Sequence, residues 1–500
     1  MSANSLPNHF RKTVMVIGLA TLFTAPNVMA QDWISSVGSS IASYPAVFED
    51  PLHTRPEMLK TGQIQLPGDS PLTPCAVDGR NSLPDAHVPL TLTQAMDIAL
   101  CHNPQLKGTW AAIKVQAAAL GEARAAYLPT LSGSISRLRD HTHTPNNAFQ
   151  PSTTLKNTTQ YASLSWRLLD FGGRAANQRS AIDLLNAAEA SHNAALQKTL
   201  TDVISAYFDA QTAQATWLSK QKIEGYAKAT FDTAQRRETR GAGAESDTLQ
   251  AQTALSKAML ERSRAQGGYQ KALSVLIYAL GIPETTQLTL GEDLTDQTSA
   301  LKQDLSAWLA QAQAMHPAIL AAQAQLASAR EKIISTRSEG LPSLDLTANY
   351  YQNGRPNQGL NSTKTQETLA GITLNIPIFS GFSQTYKIRG AEAQAEQKQA
   401  ELEDTENQIL REVVKAHADA SAALDNLQYS ENLLTAAQRA VATVQRKYDK
   451  GASDILEILN TQSSLSDAEQ ERIQSLADWR SARLRLLTSV GVLGMQEMGR

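Results

Sequence analysis

The sequence repeats itself at a spacing of about 210 residues, and that duplication limits the fold more than any other property. Asn103-Pro104 returns as His316-Pro317 and Leu128-Pro129-Thr130-Leu131 as Leu341-Pro342-Ser343-Leu344, both 213 residues later. Phe171-Gly172-Gly173 returns as Phe379-Ser380-Gly381, at an offset of 208. Gly241 returns as Gly451, Leu255-Ser256 as Leu465-Ser466, Glu261-Arg262 as Glu471-Arg472 and Gly281 as Gly491, all at 210. A spacing kept across so many markers means two copies of one unit, 91–282 and 304–492, joined by a linker at 283–303 and followed by a tail at 493–500.

Each copy reads the same way. A helix is expected over 92–127 and 304–337, stopping at Leu-Pro because the residue before proline avoids helical geometry. Two segments with period-two alternation follow. Leu131, Gly133, Ile135 and Arg137 oppose Ser132, Ser134, Ser136 and Leu138; Ala162, Leu164, Trp166 and Leu168 oppose Tyr161, Ser163, Ser165 and Arg167. In copy two, Leu344, Leu346, Ala348 and Tyr350 alternate with Asp345, Thr347, Asn349 and Tyr351, and Ala370, Ile372, Leu374 and Ile376 with Leu369, Gly371, Thr373 and Asn375. Such alternation marks strands with one apolar face. Polar loops are expected between them, at 139–157 and 352–366. A proline-free helix comes next, about 174–240 and 383–450, with apolar residues at 3/4 spacing. Examples are Leu196, Leu200, Val203 and Tyr207, and Leu427, Leu434, Val441 and Val444; His192 interrupts the stripe. Each long helix meets a glycine and returns as a second helix, about 246–280 and 454–490, so each copy carries a long antiparallel hairpin.

Four strands with one apolar face cannot close a membrane barrel, which needs about eight. A hairpin about 100 Å long has no compact core of its own either. Both deficits disappear if several chains share one wall, with apolar strand faces toward lipid and helices closing a tube. A periplasmic coiled-coil structural protein is the competing reading of the helices, and the strands in both copies oppose it.

The N-terminus agrees with export. His9, Arg11 and Lys12 precede an apolar run from Thr13 to Phe23, and Val28-Met29-Ala30 has a cleavage-site pattern, so 1–30 reads as a signal peptide. Eight prolines between 31 and 90 make that stretch an extended arm. In an oxidising compartment the pair Cys75 and Cys101 is expected to form a disulfide, tying the arm to the first helix; two free thiols are the alternative. With 45 basic against 48 acidic residues there is no electrostatic case for nucleic acid. Nor is there a case for an enzyme. His141 and His143 have no further metal ligands near them, and Asp170-Phe171-Gly172 lacks the other kinase motifs. No catalytic residue, metal site or cofactor is expected.

The motifs Leu92-Thr93-Gln94-Ala95, Ala99-Leu100-Cys101-His102-Asn103-Pro104, Tyr127-Leu128-Pro129, Leu169-Asp170-Phe171-Gly172-Gly173-Arg174, Pro377-Ile378-Phe379-Ser380-Gly381, Tyr448-Asp449-Lys450-Gly451 and Asp454-Ile455-Leu456-Glu457-Ile458-Leu459 together resemble the TolC family of outer-membrane efflux proteins, over about 90–492. The arm and the Cys101 pattern are similar to its type I secretion branch. The resemblance implies a mainly α fold with a small β part, built from two tandem repeats of helix–strand–strand–long helical hairpin. It implies a homotrimer forming a 12-stranded outer-membrane β-barrel on an α-helical periplasmic tunnel, with outer-membrane lipid around the barrel. The implied partners are a periplasmic adaptor protein and an inner-membrane ABC or RND transporter. The implied function is a passive exit duct, for protein cargo in type I secretion or for drugs in multidrug efflux.

The same resemblance assigns a pore constriction to Asp247 and Glu457, each six residues after its hairpin glycine, and to Asn460, where a family acid has been lost. Ser453 stands where some members carry a latching arginine. A carboxylate ring favours cations at a narrow mouth; equally, Asp454 and Glu457 fit a helix capping box. Arg236, Arg237 and Arg240 before Gly241, and Arg446, Lys447 and Lys450 before Gly451, form either an adaptor-docking surface or cations placed at helix C-termini. Gly241 and Gly451 are expected as turn glycines with positive φ. Phe171 and Phe379 are expected at the strand-to-helix bend, and Trp166 either in an interfacial aromatic belt or simply packed.

Overall fold

A computed structural model of the chain describes Leu52 and residues 89–142, 153–291, 304–354 and 365–491. The leader, nearly all of the arm, Cys75, His143, most of the linker and the tail lie outside the described residues.

In copy one the order is α1 (Leu92–His102), α2 (Pro104–Ala125), β1 (Thr130–Thr142), β2 (Thr153–Leu169), α3 (Gly173–Thr239) and α4 (Glu245–Leu280). In copy two it is α5 (Leu305–Met315), α6 (Pro317–Ser338), β3 (Ser343–Gln352), β4 (Gln366–Asn375), α7 (Ser383–Asp449) and α8 (Ile455–Val490). The first helix of each copy is therefore not continuous. It breaks at Asn103 and at His316, each forced extended by the proline after it, and that proline then begins the next helix. The β1–β2 loop is also shorter than expected. Arg139 to Thr142 and Thr153 to Asn157 pair as strand, and His141 lies in β1 opposite Thr154 rather than in a loop. Their polar character suited a loop, but pairing between the two segments, which single-segment patterning does not reveal, extends both strands.

α3 and α7 are 67 residues each, about 100 Å long at 1.5 Å per residue. Apolar clusters alternate along the hairpins. One joins Leu196, Leu200, Ile204, Val413, Leu427, Trp479 and Leu486; another joins Val203, Tyr207, Leu276 and Leu280; a third, near the hairpin turns, joins Ala234, Ala251, Val444, Tyr448, Ile455 and Ile458. Each fully buried leucine in such a cluster contributes roughly 1.5–3 kcal/mol. His192, the interruption in the stripe, is buried, bonds Thr109 Oγ1 through Nδ1 at 2.7 Å and tilts against Trp110. Burial holds its imidazole below the ordinary histidine value. Among the described residues no helix is long and apolar enough to cross a membrane. The start of the linker packs rather than dangles: Leu90 pairs with Leu290, and the Tyr207 hydroxyl and Gln211 amide bond the carbonyls of Leu90 and Gly291.

The strands form one antiparallel sheet in the order β1-β2-β3-β4. Its register sorts the faces. Leu131, Leu164, Ala348 and Ala370 lie in one row, and Trp166, Leu346 and Ile372 in another on the same face. The opposite face carries the rows Ser132–Ser163–Asn349–Leu369 and Arg167–Asp345–Thr373, the last with an ion pair at 2.9 Å. Leu369 is the apolar exception there. On the apolar face the side chains give way to Gln160, Gln352 and Gln366 in the row of Ile135. From Leu344 to Gln352 the strand climbs about 26 Å along its own axis, about 20 Å of rise once it is tilted by about 40°.

Candidate functional site

The two ends of the hairpins carry the candidate chemistry, and each is built from the backbone outward. At the turn end, α3 finishes in a Schellman motif. Ala242 N–H reaches the Arg237 carbonyl at 2.9 Å and Gly241 N–H the Glu238 carbonyl at 2.8 Å. α7 repeats it with Ala452 to Lys447 and Gly451 to Tyr448. Both motifs need a left-handed residue after the cap, and Gly241 and Gly451 supply it at φ 73° and 75°. Arg240 and Lys450 are the cap residues themselves.

α4 and α8 then begin with acids in their first turns, Glu245 and Asp247 in one, Glu457 in the other. The cluster of Ala234, Ala251, Tyr448 and Ile455 brings both turns to the same end of the molecule. Asp454 Oδ1 accepts the Glu457 N–H at 2.7 Å, which is half of the capping box. The other half is absent: the Glu457 carboxylate takes the Ser453 hydroxyl instead. Glu457 and Asn460 are exposed, and Asp247 is half-buried.

Arg237 departs from the expectation of a uniform docking surface. Its guanidinium lies 4.5 Å from the Tyr448 ring centroid and donates to the Tyr448 carbonyl. It therefore fastens hairpin one to hairpin two, while Arg236, Arg240, Arg446, Lys447 and Lys450 remain exposed. The Tyr448 phenol is pushed above its ordinary value, chiefly by burial; Arg237 opposes that shift and the charges of Asp247 and Asp449 add to it. Higher up, Gln462 bonds Thr230 at 2.9 Å, and Lys220 joins Glu261 at 3.3 Å to Ser466 at 3.0 Å. Periodicity could not reveal these polar rungs, because their partners lie more than two hundred residues apart in sequence or on a different helix. A lysine and a glutamine on the inner stripe were the available signal.

At the sheet end, the register slips between Arg167 and Leu169, so Leu169 rather than Leu168 stands opposite Leu344. A bulge of this kind leaves carbonyls without ladder partners. Arg174 supplies the donors: it bonds Arg167 O at 2.7 Å and Leu168 O at 3.2 Å, with Nε on Asp170 at 3.2 Å and its plane 4.8 Å from the Tyr127 ring centroid. The bend itself uses two successive left-handed residues, Phe171-Gly172 in copy one and Gly381-Phe382 in copy two. The structural offset here is thus 210 and the aromatic and glycine have changed places. The expected match of Phe171 to Phe379 fails for that reason; Phe379 instead packs edge-on against Phe382 at 5.4 Å. Trp166 is on the apolar face, part-exposed, with its indole N–H on Tyr127 O at 2.9 Å. Cys101 lies in the last turn of α1, and its expected partner Cys75 is outside the described residues.

Residues 95–282 and 308–492 match the family described as outer membrane efflux protein. The chain is 33% identical to Protein CyaE of Bordetella pertussis over 410 residues, which covers 81% of this chain and 85% of that protein. It is 28% identical to the alkaline protease secretion protein AprF of Pseudomonas aeruginosa, with coverages of 81% and 85%. The fold is similar to the Campylobacter jejuni CmeC outer membrane channel, at a TM-score of 0.69 and 19% identity over 80% of this chain and 85% of that one.

Proposed function

This chain belongs to the outer membrane efflux protein family, and from that premise we propose that it is the exit duct of a type I protein-secretion system. It is an outer-membrane channel whose helices project into the periplasm. In our reading three copies close a twelve-stranded barrel and a helical tunnel, and a periplasmic adaptor and an inner-membrane ABC transporter deliver the cargo. Energy comes from that transporter, and no residue of this chain has a catalytic role. The observation that carries the reading is the sheet register: the apolar rows share one face, and among the described residues no strand pairs the outer edge of β1 or β4. Apolar strands in a ring satisfy lipid outside and a wet lumen inside. Similarity to an alkaline protease secretion protein favours protein cargo over drugs.

The carboxylates Asp247 and Glu457 ring the closed mouth in this reading, with Asn460 as the neutral third position. The exposed cations around Gly241 and Gly451 form the adaptor-docking surface. The Cys75–Cys101 disulfide anchors the arm, and intact-mass measurement before and after reduction tests it. Full-length protein extracted from outer membranes should run as a detergent-dependent trimer and form ion channels in planar bilayers. Deleting its gene should trap an exported polypeptide inside the cell without changing drug sensitivity. Recovery of a folded, water-soluble monomer would end the proposal, and drug sensitivity with normal secretion would move it to multidrug efflux.

A further inference from the structure

The described strands hold four aromatic side chains, and the register divides them evenly between the two faces. Trp166 and Tyr350 lie on the apolar face. Tyr161 and Tyr351 lie directly opposite each other on the polar face, in the row Ser134–Tyr161–Tyr351–Glu367. Belt aromatics stand on the lipid-facing side of a barrel, and this pair stands on the face opposite the apolar rows. Its face carries the Arg167–Asp345 ion pair, which lipid would not tolerate, so it is the face that looks into the lumen.

The two rings stack at 5.2 Å between centroids with planes 27° apart, and the Tyr161 hydroxyl donates to Asn349 Oδ1 at 3.3 Å. Both are half-buried, and Ser134, Ser163 and Thr159 beside Tyr161 are too short to cover the outer surface of its ring, which is the open side of the pair. A dozen strands about 4.8 Å apart and tilted about 40° close at a backbone diameter of about 24 Å. Rings reaching about 6 Å inward from opposite walls leave about 12 Å, the width of one helix or a chain with its side chains. Resting on the protein-secretion reading above, we propose that Tyr161 and Tyr351 form an aromatic contact site in the barrel lumen for aromatic side chains of the passing polypeptide. Flat rings at fixed positions offer every such side chain a partner without demanding a sequence, which suits a duct for an unfolded chain.

The test uses the full-length trimer in planar bilayers, with peptide added on the external side so that it enters the barrel without crossing the tunnel. The probes are an unstructured Gly-Ser peptide carrying tryptophans and the same peptide with serine in their place. The tryptophan peptide should block for about two- to ten-fold longer, the range one to two ring contacts produce. Tyr161→Ala with Tyr351→Ala, and equally Tyr161→Leu with Tyr351→Leu, should erase that difference. The paired Phe variant, and Tyr350→Ala on the outer face, should keep it. Equal block by both peptides in the wild type, or a difference that survives in the Leu pair, overturns the inference while leaving the duct intact. A protein that forms no pore removes the duct reading and this site with it.

Discussion

Asn103 and His316 hold the same place in the two repeats, and each both ends one helix and caps the next. Asn103 Oδ1 accepts the Gln105 N–H at 2.8 Å, and His316 Nδ1 accepts the Ala318 N–H at 3.2 Å. The histidine can cap only while Nδ1 is unprotonated. Burial lowers its pKa from 6.5 to about 4, so the folded state holds it neutral. The unfolded chain takes up a proton first as pH falls, and stability present at pH 7 is lost between about 6.5 and about 4, on the order of 3 kcal/mol. His316→Asn should keep the cap and remove that loss. Urea unfolding of the detergent-solubilised protein at neutral and acid pH measures it, and identical acid sensitivity in the variant rules the explanation out.

Arg174 should be irreplaceable by lysine. A single ammonium cannot reach two bulge carbonyls and Asp170 while lying over Tyr127. Arg174→Lys should cost about 1–3 kcal/mol, because carbonyls in the bend lose their donors. Copy two manages its corner with a neutral Gln384 donating to Thr336 O, so Gln384→Ala should cost less. Comparing the two melting shifts decides the point; equal shifts refute it.

Arg237→Ala releases the tie between the two hairpins. The turns around Gly241 and Gly451 should then exchange amide hydrogens faster, by roughly ten-fold for a loss of about 1–2 kcal/mol. Exchange that accelerates in the sheet as much as at the turns would show general destabilisation instead.

The proposed ring of Asp247 and Glu457 predicts a graded series. Asp247→Ala and Glu457→Ala should each weaken cation preference and divalent block of the channel, and Asn460→Asp should strengthen both. Reversal potentials in a salt gradient read the first, and titration with magnesium on the periplasmic side reads the second. No change across the series sinks the assignment.

Much of the architecture was legible from residue pattern alone. The duplication, the hairpins ending at Gly241 and Gly451, and the faces of the strands all follow from spacing, because period and punctuation are local. Most of what escaped depends on partners distant in sequence, with one exception. The break at Asn103 is local chemistry that an apolar helical pattern on both sides concealed. The bulge at Leu168 is invisible without β3 beside it. Arg237 reads as one of three equivalent cations until Tyr448, 211 residues away, is set against it. His192 reads as a flaw in a stripe until Thr109 supplies its bond.

β1 and β4 each keep one edge that no other described strand pairs, and the side chains of β4 are exposed along its whole length. In the proposed assembly each of those edges is completed by a sister molecule, so the folding of every subunit is finished by another. Heredity then sees the ring rather than the chain. A mutant whose β1 edge is spoiled, made in the same cell as the normal protein, would enter most rings and leave a gap in each. Such alleles should poison export even beside an intact gene, whereas a lesion that prevents the subunit from joining at all should stay silent.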